Sequence, residues 1–120
     1  MSPVQHPVNG PTLVFSLADE TRTVREQLAA GSRSARTLVK NGTLRATLIG
    51  VSAGGELAPH SAAGPLTVHV LEGAIEFEAQ GHAHHLAAGS LLALDAGIVH
   101  AVRSGAGGIF LLTLSGPPAA

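Results

Sequence analysis

The chain has no cysteine, no tryptophan and no tyrosine, and only three phenylalanines in 120 residues. Without cysteine there is no disulfide framework, no thiolate metal site and no thiol nucleophile. Without tryptophan or tyrosine there are few platforms on which a base or sugar ring would stack. Charge is scarce too: charged residues make up 12%, about half the usual share near ~25%. The formal net charge of −1 gives no electrostatic footprint for nucleic acid. Arg22, Arg25, Arg33, Arg36 and Lys40 gather in the first third, where they read as a solvated helix face and a hairpin edge. No apolar run approaches the ~20 residues that cross a membrane. Met1 to Gly10 lacks the basic flank and apolar stretch of a signal peptide, so the expected location is cytoplasmic. Nucleophile-elbow, P-loop and dinucleotide glycine patterns are absent as well.

Hydrophobic residues make up 45% of the chain. That is enough to exclude disorder and to fill one core, and the length is too short for two. So apolar a chain with so little charge is expected to cover part of its exterior with a second copy, as a homodimer.

Residues 1–12, with Pro3, Pro7 and Pro11, read as an extended arm. Leu13–Phe15 reads as a short edge strand. Asp19 to Ala30 is the one helical pattern, capped by Asp19 and stopped by Gly31. The period then becomes two. Ala35–Lys40 and Thr43–Ile49 flank Asn41-Gly42, a strong hairpin signal because Asn-Gly accepts positive φ at both turn positions. Further strands are expected at Leu66–Leu71, Ala74–Ala79, His82–Leu86, Leu91–Leu94, His100–Arg103 and Ile109–Leu114, with glycine-rich turns between them. Many short strands and one early helix make an antiparallel sandwich or barrel. One domain over 13–115 with a flexible tail at 116–120 completes the organisation.

Two clusters carry the strongest pattern: Gly54-Gly55 with His60 and Val70-Leu71-Glu72-Gly73, then Gly89 with Gly97-Ile98-Val99-His100. Over residues 50–115 this spacing resembles the cupin superfamily. The resemblance implies an all-β fold, the double-stranded β-helix or jelly-roll barrel, here with a short N-terminal helix. It also implies a divalent metal (Fe, Mn, Ni or Zn) held by three histidines and a glutamate. This chain keeps His60 and His100 at two of those positions, but has Ala62 and Leu66 at the others and Ser104 where the second motif has asparagine. Two imidazoles fall short of the usual three protein ligands. Glu56, Asp95 and His84 are the candidates for a third. Against this stand a solvated loop for Glu56, a turn-forming role for Asp95, and a surface cluster with His82 and His85 for His84.

Parity places residues 66, 68 and 70 on one face. The expected cavity is therefore lined by His60, Ala62, Leu66, Val68, Val70, His100 and Val102. His69 is expected on the opposite face, and Glu76 and Glu78 toward solvent. Three functions follow as expectations. The first is a barrel that binds a small molecule without a complete metal site. The second is a metal-dependent oxygenase or isomerase that uses His60, His100 and a non-standard ligand. The third is a regulatory or sensory module.

Overall fold

The computed structural model describes residues 6–116. Of the expected arm and tail, residues 1–5 and 117–120 lie outside the described residues. The helix α1 (Leu17–Leu28) starts earlier than the sequence pattern indicated. Ser16, rather than Asp19, is the cap, and its side chain accepts a hydrogen bond from the Asp19 amide. Asp19 and Glu20 in the first turn and Arg25 in the last complement the helix dipole.

Eight strands follow: β1 (Arg33–Asn41), β2 (Leu44–Val51), β3 (Glu56–His60), β4 (Leu66–Ala79), β5 (His82–Ala87), β6 (Leu91–Leu94), β7 (His100–Arg103) and β8 (Gly108–Ser115). The sheet runs β1-β2-β8-β4-β7-β3, with β5 and β6 also on β4. All these pairings are antiparallel.

Three local expectations need correction. Residues 13–15 form no strand. The β1–β2 turn is Gly42-Thr43, with Asn41 paired to Leu44 and positive φ at Gly42 alone, the pattern of a type II′ turn. The turn with two positive φ values is Gln80-Gly81, between β4 and β5. The third correction concerns Gly73, which does not end a strand. It lies within β4 at φ +68, beside a register shift between Val70 and Glu72. A Cβ there would strike the Gly107 carbonyl oxygen. This bend lets one chain segment serve two sheets: Leu66–Gly73 pairs with β6 and β8, and Ala74–Ala79 pairs with β5 and β7.

Folding β4 over on itself encloses the main core. Val51, Val68, Val70, Ile75, Phe77, Val102 and Phe110 pack there. A second cluster of Val24, Leu38, Leu48 and Ile109 lies under α1, on the sheet's other face. Gly50 lets the helix sit close, since a Cβ there would lie 2.7 Å from Val24 Cγ1. Arg25 binds Glu72 through two hydrogen bonds, tying the helix to β4. Residues 6–16 are also anchored. Lys40 N donates to Val8 O at 2.8 Å, and the His6 ring meets Phe15 edge-on at 4.9 Å. Among the described residues, no helix is long and apolar enough to cross a membrane.

Candidate functional site

The inner face of the β5-β4-β7-β3 sheet carries the histidines. His82 is paired with Ala79, Ala79 with His100, and His100 with His60. Directly paired residues point to the same side, so the three histidines and Ala79 form one cross-strand row. Ring centres of His60 and His100 lie 4.3 Å apart, edge-on. His100 also stacks on Phe77, with ring centres 5.2 Å apart and planes 12° from parallel.

Both rings are oriented from behind. His60 Nδ1 lies 3.0 Å from Ala58 O, and His100 Nδ1 lies 3.0 Å from Ile98 O. A carbonyl oxygen only accepts, so Nδ1 carries the hydrogen in each ring and donates it. In a neutral imidazole this leaves the lone pair on Nε2. His100 is 4% exposed. Burial pushes its pKa below the ordinary histidine value. Nearby His60 adds to that shift, and the bond to Ile98 opposes it.

The other expected cavity residues are placed differently. Leu66, Val68, Val70 and Val102 are buried against one another with Phe77 and Phe110, and Ala62 packs on their edge. These positions pack in the core around the two phenylalanines. The open volume lies beyond them, at the mouth. A pocket of about 390 Å³ is bordered by Pro59, Ala79, His82, Val99 and His100, with Glu78 in its wall.

No third ligand joins the pair. Glu56 is exposed on β3, opposite Arg103. Asp95 accepts a hydrogen bond from the Ala96 amide at 2.8 Å, the behaviour of a turn residue. His84 does lie on the inner face, opposite Phe77, but β4 separates its strand from β7 and it is exposed. Among the described residues, no group of three His, Asp or Glu side chains could hold a metal ion. With Ala62 and Leu66 in place of two ligands, the residues present do not fit a four-ligand metal centre.

Ser104 is a structural pin. Its Oγ donates to Ala74 O at 2.6 Å and accepts from the Gly107 amide at 2.8 Å. His69 is half-buried on the helix side, opposite Leu111. On the sheet's outer face Arg103 binds Glu76, and its second amino group lies 2.8 Å from Glu78. This pairing lowers the Glu76 pKa and raises that of Arg103. A larger depression of about 610 Å³ lies there, lined by Glu56, Glu76, His85 and Arg103 among others. Its charges already match one another across the strands, so the histidine mouth is the better candidate.

Sequence reasoning missed Phe77, Pro59 and Val99 as site residues. Pro59 and Val99 adjoin His60 and His100 in the chain, and only Phe77 needs the pairing of distant strands to reach them.

No protein-family model matches the chain, and none of the curated proteins does. Solved structures do. A conserved protein of unknown function from Streptococcus pyogenes is 30% identical, with 72% of this chain and 76% of that one aligned and a TM-score of 0.67. An RmlC-like cupin from Shewanella frigidimarina is 26% identical over 73% of this chain and 78% of its own, with a TM-score of 0.68. Salicylate 1,2-dioxygenase from Pseudoaminobacter salicylatoxidans is 20% identical and aligns with 92% of this chain at a TM-score of 0.78. The alignment covers 35% of that enzyme, and at this identity the likeness is one of fold.

Proposed function

Because this chain belongs to the cupin superfamily, we propose that it binds a small molecule at the histidine mouth of its barrel, without a four-ligand metal centre. The reading commits to an uncharged molecule with an apolar ring and a hydrogen-bond donor, such as a phenolic hydroxyl. One observation carries it: both imidazoles spend their Nδ1 hydrogen on backbone carbonyls, which leaves two Nε2 acceptors 4.3 Å apart by ring centre. The walls support the choice. Pro59, Ala79 and Val99 offer apolar surface, and two Nε2 acceptors offer no hydrogen-bond donor to an anion. Small-molecule sites commonly combine such apolar walls with a few fixed polar groups.

Calorimetric titration with phenol, on metal-free protein, tests this. Phenol is expected to bind at millimolar strength or better, and benzoate more weakly. His60→Ala and His100→Gln are expected to weaken phenol binding at least about tenfold, the equivalent of ~1.4 kcal/mol. Phenol that binds equally well to both variants, or less well than benzoate to the native chain, would overturn the reading.

A further inference from the structure

Strand β5 borders the sheet with no protection against pairing; β6 is equally bare but carries no histidine. It bonds to β4 alone among the described residues, which leaves its second side as an open edge. Natural edges are guarded by charge, proline or a covering segment. β1 has Arg33, Arg36 and Lys40, and residue Val8 bonds to it; β3 has Glu56 and Pro59. The β5 sequence, His82-Ala83-His84-His85-Leu86-Ala87, has no Lys, Arg, Asp, Glu or Pro.

Its first three residues add a metal-binding geometry. His82 and His84 are two apart on a strand, so they share a face. Both are exposed, and their ring centres lie 6.4 Å apart. Two imidazoles on one zinc ion, each at 2.0–2.1 Å, have ring centres roughly 5 Å apart. A small side-chain rotation closes the difference. One chain nevertheless supplies two nitrogens, and a closed zinc site needs four.

We propose that β5 pairs antiparallel with β5 of a second copy about a two-fold axis at Ala83, and that the four histidines so assembled hold one zinc ion. That axis sets His82 opposite the partner's His84, and His84 opposite the partner's His82. All four rings then lie on one face of the two-stranded ribbon, with opposed Cβ atoms about 4.5–5.5 Å apart. The open edge supplies backbone bonds and the ion supplies register, which bare edges lack. Neither chain completes the site alone. The proposal does not rest on the small-molecule reading, although His82 also borders that pocket, because mass and cross-linking are read without phenol.

The full chain, untagged and never exposed to a nickel column, is compared in EDTA and in zinc chloride by light scattering after size exclusion. Zinc is expected to double the mass measured in EDTA, at one ion per two chains. His82→Ala with His84→Ala is expected to abolish the doubling, and both sites are exposed enough for the fold to survive. The absence of native cysteine permits a register test. Ala83→Cys should form a covalent dimer under mild oxidation in zinc but not in EDTA. Ala87→Cys should not, because its mate is about 27 Å away in this register. An unchanged mass, doubling retained in the histidine double variant, or cross-linking at residue 87 rather than 83 would each overturn the proposal.

Discussion

Replacing Phe77 with leucine separates the two jobs that the structure gives this ring. Phe77 is 1% exposed at the centre of the main core, and it covers one face of His100 at 5.2 Å. Truncation to alanine costs about 3–5 kcal/mol, because it adds a cavity to the lost transfer energy. A domain of this length has roughly 6–18 kcal/mol to lose, so that variant risks unfolding. Leucine keeps most of the volume and should cost about 1–2 kcal/mol. It removes the flat face that shields the imidazole. Burial is the main reason the His100 pKa lies below its ordinary value. Opening that face should therefore move the His100 titration upward, toward 6.5. Urea unfolding gives the stability, and histidine resonances followed against pH give the titration. Leu48→Ala is the control. Leu48 lies in the second cluster, under the helix, so its loss should cost about 2–5 kcal/mol and leave His100 where it was. If Phe77→Leu left the His100 titration unmoved, or Leu48→Ala moved it as far, shielding by Phe77 would not be what keeps this imidazole neutral.

Gly73→Ala should cost about 2–3 kcal/mol, from the left-handed backbone and the collision with the Gly107 carbonyl; urea midpoints measure it, and a neutral result would mean that β4 does not need this bend. At Gly50 an added methyl meets Val24 and Leu28, so Gly50→Ala should shift α1 and cost about 1–3 kcal/mol, read by circular dichroism during unfolding. Stability should also fall with acidity in two stages. The His100 pKa is lowered by folding, so its contribution is fully present above about 6.5 and is lost as pH drops through the lower folded value. Melting at stepped pH should show this first loss, and His100→Gln should flatten it. The Glu72 pKa is lowered chiefly by its hydrogen bond from Arg25, so the second loss begins below about 4.5.

Much of this was legible in the residues themselves. Glycine-punctuated alternation placed most of the strands, and the motif spacing carried the family. Ala62 and Leu66 are read from the sequence directly as side chains that cannot ligate a metal. The helix start was also readable, as Ser16 followed three residues later by Asp19, two residues that can each cap a helix. Gly73 was harder, because a glycine between two alternating runs marks a turn and a bulged bend equally well. The interior was harder to read for a different reason. Period-two parity tells which face a side chain takes, not what the opposite sheet puts against it. Here Phe77 and Phe110 fill the space that parity alone leaves empty. Ala79 and His82 meet across a two-residue turn, but bringing His100 and His60 into the same row takes pairing among strands distant in sequence, out of reach of any local pattern.

The proposed function requires His60 and His100 to present two Nε2 lone pairs to a ligand at the mouth. Long-range ¹H–¹⁵N spectra of the imidazole rings, recorded on metal-free protein with and without phenol, test it most directly. Both rings are expected to carry hydrogen on Nδ1, with a response to phenol confined to their Nε2 resonances. Hydrogen on Nε2 in either ring, or Nε2 resonances that ignore phenol, would contradict it.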